Sequence, residues 1–234
     1  MSEKVAVIGA GIGGIAVAAR LAAKGYEVSV FEKNDHAGGK LSQIRHDGYR
    51  FDTGPSLFTL PGLIKELFEL AQEDFESNFR YEKLPLVCRY FYHDEMVIDA
   101  LAGAEEFAGE LNRKAQEDPG KVLAYLDECR KIYEITHPVF IANSLHLGRN
   151  YLSADFFRSL FRLHKLQPFR TLHHINSKSF RHPNTVMLFD RFATYNGSDP
   201  YRTPATMRVI AHLEHNTGAY FPLGGMYEIA RKLT

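Results

Sequence analysis

A chain of 234 residues with 45% apolar and 24% charged residues is long enough for one large or two modest globular domains. Its 28 basic and 28 acidic side chains balance, so the composition argues against a polyanionic partner such as nucleic acid. The two cysteines, Cys88 and Cys129, form no C-x-x-C pattern. They favour reduced thiols in a cytoplasmic setting over a disulfide framework or a zinc site.

The first 32 residues carry the pattern of a dinucleotide-binding βαβ unit. A buried-strand signal at Val5–Ile8 runs into glycines at the three positions of G-x-G-x-x-G, namely Gly9, Gly11 and Gly14. A proline-free, alanine-rich helix and a second apolar strand follow, and Glu32 comes directly after that strand. Because these parts occur in order, the pattern predicts dinucleotide binding rather than a chance run of glycines.

Each part of this loop has a physical role in binding. Gly9 permits the tight turn out of the strand, Gly11 lets a pyrophosphate approach the backbone, and Gly14 lets the helix pack close to the strand. The helix start offers N–H groups and a partial positive charge to the phosphates, and the acid can accept a ribose hydroxyl. The candidate cofactor-binding residues of this segment are Gly9, Ala10, Gly11, Ile12, Gly13, Gly14 and Glu32.

Two other interpretations fit part of this segment. It could be a buried βαβ unit that binds nothing. It could also be a signal peptide or a membrane span, because Val5–Ala23 is nearly all apolar. The glycines in its middle, Arg20 inside the run and Glu3 before it argue against a targeting or spanning segment.

A second pair of glycines follows soon after the acid. Gly38 and Gly39 suggest another close approach of the backbone to the phosphates, with Lys40 as a countercharge and Lys33 directly after the acid. These four residues join the candidate cofactor site.

The middle of the chain predicts a second domain. Three short strand signals between residues 81 and 99 break the βαβ pattern, and helical patterns follow over 104–115 and 120–140. We therefore expect the amino-terminal part of a cofactor domain at 1–80, a substrate and membrane-associated domain at 81–223, and a return to the first domain at 224–234.

The stretch 151–170 predicts an amphipathic helix capped by Ser153. It lies within residues 146–182, which hold seven Lys or Arg and five His against one acid. On a helical wheel its apolar face and its basic face are opposite, the first with Phe156, Phe157, Leu160, Phe161 and His164, the second with Arg158, Arg162 and Lys165. This pattern is typical of a membrane-surface helix, and also of a core helix with a solvated basic face. The separation of aromatic and basic residues disfavours nucleic-acid binding.

Later motifs give the sequence a family resemblance. The opening motif, the Gly38-Gly39 segment and the loop Asp52–Ser56 resemble the flavin amine oxidase superfamily. Two more specific stretches, Asp190–Ala205 and Phe221–Met226, resemble the bacterial phytoene desaturase (carotenoid desaturase) family. The resemblance covers essentially the whole chain.

This resemblance implies an α/β fold, with a Rossmann-like FAD-binding βαβ domain and an inserted, mostly helical substrate domain that carries a few antiparallel strands. It implies FAD as cofactor, with Pro55 and Ser56 among its binding residues, and a long apolar polyene such as phytoene as substrate. A hydride equivalent would pass to the flavin, and a neighbouring carbon would lose a proton. The resemblance also implies peripheral attachment to the membrane, which together with the cysteine usage predicts a cytoplasmic, peripherally membrane-associated protein. Family members are about twice as long, so we expect this chain to be their amino-terminal half.

Alternatives within and outside the family stay open at this point. Within it, a hydroxycarotenoid desaturase or a carotenoid isomerase shares the same FAD motifs. Outside it, a non-catalytic dinucleotide-binding module and a nicotinamide-linked dehydrogenase fit the opening motif, although the second glycine pair disfavours the dehydrogenase. The sequence defines no oligomeric state.

No catalytic base or metal site can be assigned from the sequence. Asp190, Arg191 and Asp199 are polar residues of a family-like stretch, but each has an ordinary structural explanation, such as an ion pair or a turn. His212 and His215 have H-x-E-H spacing, which cannot place both rings on one helix face as i, i+4 metal ligands. We expect these two histidines to be packed or surface residues.

Overall fold

The computed structural model describes residues 3–144, 146–162 and 166–234, and it divides the chain into two compact units. Unit 1 combines Met1–Leu84 with Ala219–Thr234, and unit 2 is Pro85–Gly218. The chain therefore leaves unit 1 once and returns to it once.

Unit 1 begins with the predicted βαβ element. Strand β1, Lys4–Ile8, lies parallel to β2, Glu27–Phe31, in a register that pairs the first residues of each strand. The connection is helix α1, Ile12–Ala23. Parallel neighbours need such a crossover, which explains why an alanine-rich helix separates the two strands.

The rest of unit 1 joins both ends of the chain in one core. Its further elements are the hairpin strands β3 (Gln43–His46) and β4 (Tyr49–Asp52), helices α2 (Pro61–Leu70) and α3 (Phe75–Asn78), strand β5 (Tyr81–Lys83), strand β8 (Tyr220–Pro222) and helix α10 (Glu228–Leu233). Strand β5 pairs antiparallel with β8. The core includes Phe58, Phe75 and Phe79 from the early part of the chain and Met226 and Ile229 from the late part.

Unit 2 packs helices against one antiparallel hairpin. The hairpin strands are β6 (Leu86–Phe91) and β7 (Val97–Leu101), and the helices are α4 (Ala104–Ala115), α5 (Pro119–Thr136), α6 (Ala154–Phe161), α7 (Leu172–Ser179), α8 (Pro183–Asp190) and α9 (Val209–Ala211). Inward residues of β7 and the apolar faces of α4, α5, α7, α8 and α9 form its main core, with fully buried Ile98, Phe107, Leu126 and Phe189.

The domain boundaries differ slightly from those expected at residues 80 and 223. That division places β5 and β8 in the substrate domain, whereas their pairing with each other places both strands in unit 1. The assignment of cofactor and substrate to separate domains stays a prediction.

The amphipathic segment is shorter as a helix than predicted. A 3-10 turn covers Gly148–Leu152, and α6 then begins after Ser153, whose hydroxyl accepts a hydrogen bond from the Phe156 amide at 3.2 Å. The predicted cap is therefore present. The α-helix ends at Phe161, and residues 163–165, which carry two of the predicted face residues, lie outside the described part of the chain.

Candidate cofactor-binding site

The glycine loop joins β1 to α1 in unit 1. The amide of Gly9 donates to the carbonyl of Phe31 at 2.7 Å, which ties the loop to the end of β2. Helix α1 has Gly11 as its N-cap, and no side chain among the described residues caps it. Its first N–H groups therefore remain available to an anion, as the sequence predicts.

Close packing holds the start of α1 against the loop. A side-chain carbon built at Gly14 would overlap the Gly9 carbonyl oxygen. The third glycine of the motif therefore occupies a place that no other residue fits, which agrees with its predicted packing role.

Glu32 lies next to this loop and bonds to it directly. One carboxylate oxygen accepts the amide of Ala10 at 2.7 Å, and the other accepts the backbone and side-chain N–H groups of Asn34 at 3.0 and 2.9 Å. The backbone bonds from Asn34 and then from Ala10 hold the pKa of Glu32 below its ordinary value. The acid therefore carries charge and shapes the loop, and its bond to a ribose stays a prediction.

The second glycine pair also contacts the loop. Gly38 donates its amide to the Ala10 carbonyl at 2.7 Å and forms an isolated parallel bridge with Gly11. A side-chain carbon at Gly39 would lie 3.1 Å from the Gly11 α-carbon. The structure thus brings the glycine loop and the pair Gly38-Gly39, which are separated by the whole of α1 and β2, to one place.

The remaining predicted cofactor residues lie at the surface of unit 1. Lys33, Lys40, Pro55 and Ser56 are exposed. The loop that carries Pro55 and Ser56 runs beside Lys40, because a side chain at Gly54 would overlap the Lys40 carbonyl. The structure therefore places this loop next to the second glycine pair, and contact of these four residues with a cofactor stays a prediction.

Sequence reasoning did not identify the contacts of two residues of β4, Arg50 and Asp52, although Asp52 opens the family-like loop Asp52–Ser56. The Asp52 carboxylate accepts the amides of Met226 at 3.0 Å and Tyr227 at 3.4 Å, and Arg50 donates to the Gly224 carbonyl. These partners are 174 or 175 positions apart in the chain, so no local pattern could have indicated them.

The polar residues of the family-like stretch in unit 2 have structural partners. Asp190 faces Nδ1 of His173 at 2.7 Å and accepts the side-chain amide of Asn176 at 2.8 Å. The Asn176 carbonyl in turn accepts the buried hydroxyl of Tyr125 at 2.6 Å. Asp199 accepts the amide of Tyr201 at 2.9 Å, which is the turn geometry expected for it.

Arg191 does not pair with Asp190. Its Nη2 donates to both oxygens of the fully buried Glu214, at 2.9 and 2.8 Å, and the hydroxyl of Tyr195 donates to the same carboxylate. The guanidinium lies 5.0 to 5.8 Å from the rings of Tyr90, Phe192 and Tyr195. This cluster is an ion pair between a fully buried carboxylate and a partly exposed guanidinium, and aromatic rings flank it.

His215 is a packed residue, as expected. Its ring stacks on Phe107 at a centroid distance of 4.0 Å, and Nδ1 lies 3.3 Å from the Leu101 carbonyl. Burial lowers the pKa of His215 to about 4, so the ring is neutral at pH 7. Among the residues that the structure describes, no three His, Cys, Asp or Glu side chains are grouped to hold a metal ion.

A glycine loop between two parallel strands, closed by an acid after the second strand, defines a Rossmann-type dinucleotide-binding unit. Residues 7–73 match the model of the NAD(P)-binding Rossmann-like domain family. Among solved structures, cyclohexylamine oxidase from Brevibacterium oxydans IH-35A aligns with a TM-score of 0.58 and 18% identity. The alignment covers 100% of this chain and 49% of that one. Wild-type putrescine oxidase bound to putrescine aligns with a TM-score of 0.56 and 15% identity. That alignment covers 100% of this chain and 49% of the oxidase. These likenesses confirm the predicted fold class.

Sequence relatives then narrow the family. The 1-hydroxycarotenoid 3,4-desaturase of Flavobacterium sp. (strain P99-3) is 45% identical over 99% of this chain and 47% of its own length. The 4,4'-diapolycopene oxygenase of Methylomonas sp is 31% identical over 99% of this chain and 46% of its own length. The 4,4'-diaponeurosporene oxygenase of Staphylococcus aureus (strain USA300) is 30% identical over 100% of this chain and 46% of its own length. The chain is thus a homologue of the carotenoid desaturases, and the predicted resemblance is confirmed.

The match covers only part of each relative. The chain spans about half the length of the curated relatives it matches. Within the described residues, no helix combines the length and the apolar run that crossing a bilayer requires.

Proposed function

We propose that the protein acts in FAD-dependent desaturation of a carotenoid. The observation that carries the proposal is the 45% identity, over essentially the whole chain, to an enzyme named for carotenoid desaturation. The glycine cradle of unit 1, formed by the loop Gly9–Gly14 and the pair Gly38-Gly39, supports it, because the proposed reaction needs a redox dinucleotide.

The residues of the cradle fit FAD. The N-terminus of α1 and the loop from Gly9 to Gly14 would hold the pyrophosphate, and Glu32 would accept a ribose hydroxyl. Gly39 leaves room where a side chain would crowd Gly11. When bound, the flavin supplies the two-electron acceptor that removal of hydrogen from a polyene requires. The packing of Gly38-Gly39 against the glycine loop favours FAD over a nicotinamide cofactor.

Two substrate classes compete for this site. The sequence resemblance favours a phytoene-like precursor without oxygen, and the desaturation of a hydroxylated carotenoid is the second candidate. The second is favoured by the name of the 45% identical relative, whose substrate is a 1-hydroxycarotenoid. Both are long apolar molecules, so both require an apolar channel that excludes water.

The test uses the gene product with whatever residues follow Thr234 in its gene. We expect a yellow protein with a flavin absorption spectrum, and desaturation of phytoene or of a 1-hydroxycarotenoid presented in liposomes. Comparison of the two substrates at equal concentration decides between the candidates. A gene product that binds no FAD, or that binds FAD and desaturates neither substrate, contradicts the proposal.

We also propose that the protein is cytoplasmic and attaches peripherally to the membrane through residues 151–170. The exposed side chains of this stretch support the idea, because Phe161 is 81% exposed and Phe169 fully exposed, with the exposed Arg162 and Arg170 close in sequence. The exposed apolar surface differs from the predicted face in two respects. It includes Phe169, and Phe156 is half-buried and packs edge-on against Tyr151 at 5.1 Å.

Liposome sedimentation tests this attachment. Replacement of Phe157, Phe161 and Phe169 by serine removes the exposed rings and should reduce binding several-fold. The matched control is Phe91→Ser, which removes an equally exposed ring from β6 of the same unit. Equal binding of the wild type, the triple variant and the control contradicts the proposal.

A further inference from the structure

The return segment of unit 1, residues 222–230, is fixed by β4. The Asp52 carboxylate accepts two consecutive amides, those of Met226 and Tyr227, while Arg50 donates to the carbonyl of Gly224. A carboxylate that accepts adjacent backbone N–H groups holds a turn more firmly than neutral acceptors do. The last strand of the hairpin therefore sets the position of the turn that leads into α10.

Gly225 makes this contact possible. Its φ is +104°, in the region that favours glycine. A side-chain carbon there would lie 2.8 Å from Cζ of Arg50 and 3.0 Å from Oδ2 of Asp52. The turn can therefore reach both side chains only with glycine at this position.

Beyond the turn, α10 packs against Gly38, the first residue of the second glycine pair. A side-chain carbon at Gly38 would lie 3.0 Å from Cβ of Ala230 and 3.2 Å from Cε2 of Tyr227. The Tyr227 ring also meets the His36 ring edge-on at 6.3 Å. The return segment thus contacts the same residue, Gly38, whose amide bonds to Ala10 of the phosphate loop.

We propose that Asp52 is a positioning residue for the dinucleotide, because it clamps the return segment against Gly38 and so fixes the shape of the glycine cradle. The contacts form a continuous series from Asp52 to Met226 and Tyr227, from there to Gly38, and from Gly38 to Ala10. This inference rests on the proposed FAD binding for its ligand, but the clamp itself is a property of the protein alone.

The first experiment measures FAD affinity by fluorescence quenching on the gene product used for the flavin test. Asp52→Ala should weaken FAD binding about tenfold or more, since two carboxylate hydrogen bonds are lost. The matched control is Asp74→Ala, which removes another carboxylate of unit 1. Asp74 caps α3 by accepting the amide of Ser77 at 3.0 Å, far in sequence from the cradle. The control should stay within about twofold of the wild type.

The second experiment needs no FAD. Amide hydrogen exchange in the FAD-free protein should become faster at Ala10, Gly11 and Gly38 in Asp52→Ala and should not change there in Asp74→Ala. If Asp52→Ala fails to fold, Asp52→Asn keeps one acceptor and the side-chain shape, and the same two measurements apply with smaller shifts.

The outcomes separate the clamp from the proposed function. A folded Asp52 variant with wild-type exchange at Ala10 and Gly38 overturns the clamp. The same conclusion holds if the Asp74 control weakens FAD binding as much as the Asp52 variant. A wild-type protein that binds no FAD contradicts the proposed function and the positioning role together, while the exchange measurement still decides whether the clamp exists.

Discussion

Strand β7 of unit 2 buries apolar residues, whereas strands β1 and β2 of unit 1 leave apolar residues exposed. In unit 2, Ile98 and Ala100 of β7 are fully buried beneath the helices. In unit 1, Ile8 at the end of β1 is 90% exposed, and Phe31 at the end of β2 is 59% exposed. Strands of parallel sheets are normally covered on both faces. Within the described residues, the β1–β2 pair has too little cover for its apolar side chains.

This contrast teaches that an apolar run predicts a strand but not what covers it. Unit 2 encloses its core with its own helices, so its stability should depend on internal packing. Unit 1 leaves a large apolar surface, which is typical of a surface that contacts something else. Four predictions test the contrast, and each is measured separately for the two units by hydrogen exchange during denaturant unfolding.

The largest effect is expected from the unit 2 core. Phe189 is fully buried and contacts the rings of Phe180 at 4.4 Å and Tyr125 at 4.8 Å. Phe189→Ala should lower the free energy of unfolding of unit 2 by about 3–5 kcal/mol, because it removes a buried ring and leaves a cavity. Phe31→Ala in unit 1 should cost less than about 1 kcal/mol. Equal losses would show that the contrast is wrong.

The ion pair in unit 2 should likewise contribute more to stability than the ion pair in unit 1. Glu214→Gln removes the buried negative charge that is paired with the Arg191 guanidinium, and should destabilise unit 2 by about 3 kcal/mol. The exposed pair of Lys4 and Glu27 in unit 1, at 3.4 Å, is the comparison. Lys4→Met should change stability by about 0.5 kcal/mol or less in denaturant unfolding. A larger effect for Lys4 than for Glu214 would refute this assignment.

Acid should weaken unit 2 through His215. The pKa of this imidazole is about 4 in the folded state against 6.5 for the ordinary value, because burial disfavours the charged ring. The unfolded chain therefore takes up a proton first as the pH falls. Stability should decrease between about pH 6.5 and pH 4, by about 3 kcal/mol in total. His215→Phe keeps an aromatic ring on Phe107 and should remove most of this slope.

The smallest change in stability is expected from the titration of Glu32 in unit 1, at a lower pH than the change due to His215. Hydrogen bonds from Asn34 and Ala10 lower its pKa from the ordinary 4.5. Its contribution to stability is therefore present above pH 4.5 and is lost as the pH falls through the folded-state pKa. Glu32→Gln should flatten the acid end of the unit 1 stability profile and leave the range from pH 6.5 to 4.5 unchanged. A change confined to that upper range would contradict the assignment.

Local chemistry decided which features could be predicted from the sequence. The glycine loop at the start of α1 and the Ser153 cap depend on residues a few positions apart, and both have the expected geometry. The position of Glu32 directly after β2 could be read from the sequence, but its bond to the amide of Ala10, 22 positions away, could not. The exposure of Ile8 and the half-burial of Phe156 depend on what packs nearby, which periodicity does not contain.

Contacts between distant residues were beyond local patterns. The Asp52 clamp joins residues 174 positions apart, and Asp190 binds His173 rather than its neighbour Arg191. In both cases the partner is chosen by how the elements pack, and many equally suitable partners exist along the chain.

The exit and the return of the chain have a consequence for the order of folding. The amide of Leu84, the last residue before unit 2, donates to the carbonyl of Ala219, the first residue after it, at 2.9 Å. During synthesis, unit 2 is complete when Gly218 leaves the ribosome, but unit 1 still lacks β8, α10 and the partners of Asp52. Contacts between residues so far apart in the chain form late, because the loop must close first. The glycine cradle, although encoded first, is therefore expected to be the last part of this chain to take its final shape.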